Sequence, residues 1–363
     1  MRMDRPKIEA YHSSNGARIY RIPLDLFPGL QGYAHLLIIE DIVALVDVGS
    51  GFGESNEQLE AGFEEIQDVY GESAHWDTIT HILISHAHID HFGGLSFVQE
   101  RCHAPVGIHE LDRPVLNHYE DRLRLVAQKL STFLIQAGVS VERQHGLMDL
   151  YLINKHLFKS LPTDFTFNEV GMKLGPISIR HVPGHCPGQV VFILDDILLS
   201  GDHVLHNTSP HQAPEQLTLN TGLGHYLESL EKIKPLSHSI RWVLGGHEAA
   251  FQDLETRVED IKRLHQDRLR LVLDYLEEPK TIAEVSELLF PEVHGYHELL
   301  AIEETGAHIE YLDQRGYVFV ENVDQIAEER PVPFLYLREQ DMIEPKIVSN
   351  ETVLQHMRRG ERI

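Results

Sequence analysis

Residues 80–94 read THILISHAHIDHFGG, and the rest of the chain is best understood outward from them. The apolar run Ile82, Leu83, Ile84 predicts a short buried strand. His86, His88, Asp90 and His91 follow at its end in the order H-x-H-x-D-H, in the kind of loop where an α/β sheet places its chemistry. Imidazole nitrogens and a carboxylate suit zinc, iron or manganese. Four such groups in six residues cannot all reach one ion easily. Shared between two ions about 3.5–4 Å apart, they would suit a two-metal hydrolase. The competing reading is a His-rich solvated turn, and the strand before it and Gly93-Gly94 after it weigh against that.

The bulk numbers exclude some functions. A chain of 363 residues is long enough for about two domains. Its 31 basic and 56 acidic side chains leave a formal charge of −25, which opposes nonspecific attraction to nucleic acid or an anionic membrane. Two cysteines, Cys102 and Cys186, make no disulfide framework, so a reducing cytoplasm is the expected location. The first ten residues lack the apolar core of a signal peptide, and no stretch is long and apolar enough to span a bilayer.

Upstream, ARIYRIPL (17–24) alternates as a strand, and AHLLIIEDIVALVDVG (34–49) gives two apolar runs hinged at Glu40-Asp41. The second ends at Asp47 beside Gly49, Gly51 and Gly53, placed either to orient something or simply to turn the chain. Residues 57–71 have helical spacing, and a single helix is expected from His91 through Cys102. Between Asp112 and Phe167 the texture turns helical. That insertion is either a lid offering Tyr119, Phe133, Met148, Tyr151 and Phe158 to a substrate, or a packed hairpin with these aromatics as its core. Strand texture then resumes. The turn PGHCPG (183–188) aims His185 through a backbone fixed by proline and glycine, and Cys186 reads as a small buried thiol. ILLSGD ends in Asp202 and WVLGGHE presents His247. Several strands thus each end in a ligand-type residue.

In their order and wording the five motifs DVGSG, SHAHIDH, PGHCPG, SGD and GGHE resemble the metallo-β-lactamase superfamily, over about residues 17–251. The resemblance implies an αββα four-layer sandwich of α/β class with a binuclear site on one edge. It implies one metal on His86, His88 and His185, a second on Asp90, His91 and His247, Asp202 bridging, and Asp47 orienting the ligands from behind. Asp202 stands where the antibiotic-hydrolysing members resemble one another in having Cys or Ser, which argues against β-lactam hydrolysis. His88 argues against the flavo-diiron branch. What remains is similar to the glyoxalase II, lactonase and general thioester or ester hydrolase branch.

The tail adds a second resemblance. TIAEVSELL (281–289) opens on a capping box from Thr281 to Glu284, and three helices then a strand look like the winged-helix module of β-lactamase-like hydrolases of the mitochondrial endoribonuclease type. Residues 255–330 carry 19 acidic and 8 basic side chains, a poor surface for phosphates, so packing or dimerisation is the expected role. The expected division is a catalytic domain over 1–253, a winged-helix-like domain over 254–330 and an extension of unknown role over 331–363.

The expected activity is hydrolysis of a small thioester, ester or lactone by a hydroxide held between two divalent ions, zinc first, with iron or manganese as alternatives. Asp90 would take the water's proton, and His206 or Tyr226 are candidates for protonating the leaving group. The rivals are a single-stranded RNA endonuclease or other phosphodiesterase, an iron-dependent persulfide dioxygenase and a non-catalytic scaffold. The expected partner is a small acyl substrate, with nucleic acid disfavoured, no membrane, and a homodimer as an open option.

Overall fold

The computed structural model describes residues 7–153, 155–326, 331–340, 345 and 347. The chain divides into two compact units, each assembled from three segments: 1–119, 159–210 and 233–257 in the first, and 120–158, 211–232 and 258–363 in the second.

The first unit is built on two sheets. One runs in the order β1 (Glu9–His12), β2 (Arg18–Phe27), β3 (Leu30–Ile39), β4 (Ile42–Val46), β5 (His81–Leu83), β6 (Val106–Ile108) and β7 (Phe165–Thr166). Its first four strands are antiparallel and β4 to β7 run parallel. The other holds β8 (Lys173–Leu174), β9 (Ile177–His181), β10 (Val190–Leu194), β11 (Ile197–Gly201) and β12 (Trp242–Gly245), with only β11 and β12 parallel. Ile19, Leu37, Ala44, Val46 and Leu83 from the first sheet share one core with Ile179, Val190, Phe192, Leu199 and Leu244 from the second. On the first sheet lies helix α1 (Ser55–Tyr70), burying Leu59, Phe63 and Ile66.

The expected hairpin at Glu40-Asp41 joins β3 to β4, with Glu40 at φ 50°. Two local expectations are corrected. The alternation in 17–24 suggests a half-solvated strand, yet Ile19 through Leu24 are buried without a break, Arg21 included. The helix expected from His91 to Cys102 is two short pieces, α2 (Ile89–Phe92) and α3 (Leu95–Gln99), divided at Gly93-Gly94. At the break the Gly94 amide donates to the Gly49 carbonyl at 3.0 Å instead of to its own helix, and only glycines can lie this close to the backbone of residues 48–50.

The inserted segment opens with α4 (Arg113–Asn117), then α5 (Tyr119–Gln136) and α6 (Val141–Leu152). All but its opening belongs to the second unit, which also holds most of α7 (Leu223–Ile233) and α8 (Leu254–Tyr275), and all of α9 (Ile282–Leu289), α10 (Tyr296–Asp313) and α11 (Val323–Ile326). Helix α10 is buried on every side from Ala301 to Ala307, as expected of a central helix. Gly306 leaves room on it for the Phe133 ring, so Phe133 is core within this unit. The Thr281 capping box forms as read, Thr281 Oγ1 accepting from the Glu284 amide at 3.2 Å and Glu284 Oε2 from the Thr281 amide at 2.8 Å. A strand pair, β13 (Val318–Val320) with β14 (Tyr336–Arg338), completes the unit. Most of the tail after residue 340 lies outside the described residues.

Within this unit burial pushes the Glu303 carboxyl up to about 7 although Lys155 opposes the shift, and His211 Nε2 lies 3.4 Å from its Oε2. The native carboxyl therefore holds its proton at pH values where an unfolded chain has already lost it. Between the unfolded value near 4.3 and about 7 the native state binds more protons, so stability falls as pH rises. Glu303→Gln removes that loss. In urea melts its advantage over wild type should grow by about 1–2 kcal/mol from pH 5 to 7.5, and a gap independent of pH would show Glu303 already ionised in the fold.

Candidate metal centre

Both sheets of the first unit bring strand ends to a common rim. β4, β5 and β6 are parallel and in register, Val46 opposite Leu83 and Leu83 opposite Gly107, so the residues that follow them emerge side by side. Asp47 follows β4, and Ser85 through His91 follow β5. On the other sheet Gly201 pairs with Gly245, so Asp202 and His247 emerge together, with His185 on the turn between β9 and β10.

Seven side chains converge there in two groups, His86, His88 and His185 in one and Asp90, His91, Asp202 and His247 in the other, the ligand atoms of each within 4.8 Å of one another. Asp202 Oδ2 lies 3.3 Å from His247 Nε2 and 3.4 Å from His91 Nε2. The same oxygen is 3.8 Å from His185 Nε2 and 4.0 Å from His86 Nε2 in the other group. It leans to the second group while facing both. Asp90 Oδ2 is 3.2 Å from His247 Nε2.

The partners of the outer ring nitrogens fix which nitrogen faces inward. His247 Nδ1 donates to the Gln31 carbonyl at 2.7 Å, and His91 Nδ1 to Asp47 Oδ2 at 2.8 Å. Ser85 Oγ gives its hydrogen to Asp47 Oδ2 at 2.8 Å, so it accepts from His86 Nδ1 at 3.0 Å. Each of these rings is left with Nε2 toward the rim's centre, the arrangement metal-ligating histidines require. Asp47 also accepts the Ser85 amide at 2.7 Å and holds φ at 56°. A left-handed backbone at a non-glycine residue is a local strain kept where the surroundings over-determine it.

Electrostatics favour a cation. Burial drives His86 well below its ordinary value and His88 down to about 3, so both stay neutral and free to coordinate. Burial would lower His91 too, yet Asp202, Asp47 and Asp90 hold it well above the usual imidazole value. That is the signature of excess negative charge in a dry place. His86 Nε2 and Asp202 Oδ1 are buried with no hydrogen-bond partner among the described residues. Such groups are costly unless something satisfies them, and the donor set fits two divalent ions.

The structure thus brings together all seven residues expected as ligands, and Asp47 behind them. Cys186 is buried with Sγ 3.3 Å from Asp112 Oδ2, a structural thiol. Tyr226 must be withdrawn as a proton donor: it is wholly buried among helices of the second unit, its ring 5.7 Å from that of His265. His206 is exposed and stacks on Phe251. Sequence reasoning missed Arg21, whose Nη2 takes the carbonyls of Gly245, His247 and Glu248 and so grips the loop carrying His247. It also missed Ser85 and Asp112. Asp112 stands four residues beyond the end of β6, unlike Asp47, which follows β4 directly.

A third grouping, His265, Glu304 and His308, lies in the second unit. His308 Nδ1 donates to the Glu304 carbonyl at 2.7 Å, and His265 Nδ1 meets His308 Nε2 at 3.1 Å. The Glu304 carboxylate already receives Arg268 and the Gln212 amide. It reads as a closed hydrogen-bond network.

A family model described as the metallo-beta-lactamase superfamily matches residues 27–247. The probable metallo-hydrolase YqjP of Bacillus subtilis is 24% identical over 293 residues, covering 76% of this chain and 86% of that protein. The crystal structure of a metallo-beta-lactamase family protein from Thermus thermophilus is 25% identical with a TM-score of 0.65, covering 88% of this chain and 98% of that one. A beta-lactamase domain protein from Burkholderia ambifaria shares the fold, with a TM-score of 0.65 at 21% identity over 91% of this chain and 94% of that one.

Proposed function

Since the chain belongs to the metallo-beta-lactamase superfamily and is a metallo-hydrolase, we propose that it cleaves a small thioester, ester or lactone, in the manner of the superfamily's glyoxalase II and lactonase-like branch. The observation that carries the reading is the pair of ligand groups facing one another across Asp202. His86, His88 and His185 would hold one ion, Asp90, His91 and His247 the other, and Asp202 both, with zinc the best match to the donors. When bound, two such ions supply a water acidic enough to attack at neutral pH and polarise the carbonyl under attack.

The chain's own residues do the rest. His91 and His247 counteract the burial of Asp90 and keep its carboxylate ionised, so it can orient the attacking water and take its proton. Asp47, Ser85, Gln31 and Arg21 hold the ligand loops in place, so little rearrangement is needed as charge develops. The net charge of −25 favours a small substrate over a polyanion. Among the described residues no helix is long and apolar enough to cross a membrane.

The second reading, a single-stranded RNA endonuclease, draws on helices α8 to α10 followed by the β13–β14 pair, an order in keeping with a winged-helix-like module. The acidic balance over residues 255–330 opposes it, and a packing or dimer role for that module fits the charge better. The test is a panel of chromogenic thioesters, esters and lactones beside labelled single-stranded RNA, with metal content measured on the same protein. Turnover of at least one acyl class with about two ions per chain is expected. Cleavage of RNA alone would replace the substrate class, and a single iron with sulfur oxidation would replace the chemistry.

A further inference from the structure

We propose that Asp112 is the positioning residue for the three-imidazole half of the centre and sets its metal affinity separately from the other half. The inference rests on the two-ion reading above. Asp112 is completely buried. Its Oδ2 accepts the amide of Ala87 at 2.8 Å, the residue between His86 and His88. Its Oδ1 accepts the amide of Gly188 at 2.7 Å, and Cys186 Sγ, next to His185, lies 3.3 Å from Oδ2. One carboxylate therefore clamps the two loops that carry His86, His88 and His185, loops that reach the rim from different sheets.

The clamp is itself held rigidly. Asp112 follows β6, and its amide donates to the His109 carbonyl at 3.0 Å. His181 Nε2 donates to the Pro187 carbonyl at 2.8 Å, and its ring stacks on His109 at 3.9 Å, bracing the turn from the other side. A Cβ on Gly188 would stand 2.5 Å from Asp112 Cγ, so this glycine is what allows the carboxylate to approach. The other half of the centre is braced by different groups, Asp47 on His91, Gln31 on His247 and Arg21 on the loop of residues 245–248. Supports behind metal ligands are typically worth about 10–100-fold in affinity; Asp47 reaches both halves, His91 directly and His86 through Ser85, whereas Asp112 ties only the loops of the three-imidazole half.

The test uses the full-length apoprotein titrated with Zn²⁺ against a chromophoric chelator. Asp112→Asn keeps the volume, but its amide nitrogen must face one of two backbone N–H groups, so one tie breaks. Gly188→Ala displaces the carboxylate without changing its charge. In both variants one of two zinc sites should weaken about 10–100-fold while the other holds. Excess zinc should restore kcat, and Asp112→Asn should add nothing in a His88→Ala background, where that half is already broken. Equal weakening of both sites with a lower Tm would make Asp112 merely structural and overturn the proposal, as would unchanged affinities in either variant. Wild-type protein that binds fewer than two zinc ions would sink the two-ion reading itself, and this inference with it.

Discussion

Replacing His88 by alanine should lower kcat/KM by at least about 10³-fold, about 4 kcal/mol of transition-state stabilisation, and leave the fold standing. His88 stands just before the short helix α2, where its side chain makes no capping hydrogen bond, and lies outside the shared core of the sheets, so truncation opens no cavity there. Its ring lies 4.7 Å from that of His86 and 4.5 Å from that of His185, centroid to centroid, so on the proposed reading its loss would strip one of three imidazoles from a single ion. The check combines kinetics on whichever acyl substrate wild type turns over, bound zinc per chain, and near-UV circular dichroism. Activity within tenfold of wild type, with native dichroism, would show that His88 holds no catalytic ion.

Gly93→Ala should be the most destabilising single methyl in the first unit, by about 3 kcal/mol, the upper end for overpacking. A Cβ there would stand 2.1 Å from the Ser50 carbonyl oxygen and 2.5 Å from that of Ile89. Both are backbone atoms and cannot rotate away. The same seam holds Val48 N to the His91 carbonyl at 2.8 Å and Gly94 N to the Gly49 carbonyl at 3.0 Å. The loop that places Asp47 and the loop that carries the ligands are thus sewn backbone to backbone, and separating them should also loosen His91. Chemical denaturation with and without zinc measures both effects. A variant as stable as wild type, with unchanged zinc affinity, would mean the seam is soft.

The ligands were legible because each sits where local rules speak: an apolar run, its end, and a glycine or proline that fixes the backbone. His185 between the prolines of PGHCPG is the plainest case. Arg21 was not legible, since a cation in an apparently alternating strand reads as solvent-facing. Its burial follows from carbonyls more than 200 residues away, and no window of sequence contains them. Asp112 was hidden for a related reason. It stands at the border of a change in texture, and its partners at Ala87 and Gly188 come from other loops. The grouping of residues 120–158 with 211–232 and 258–363 escaped for the same cause, since which helices share a core depends on pairings distant in sequence.

That interleaving bears on how the molecule can be made. The ribosome releases α5 and α6 more than a hundred residues before α8 to α10 exist to receive them. At about 5–20 residues per second, their apolar faces wait several seconds or more without their final neighbours. A gene cut after residue 257 would leave those helices orphaned for good, so expression trials that trim the chain to its family-matched portion should yield an aggregating product, and reassembly from two co-expressed fragments would be the better route to a dissected protein.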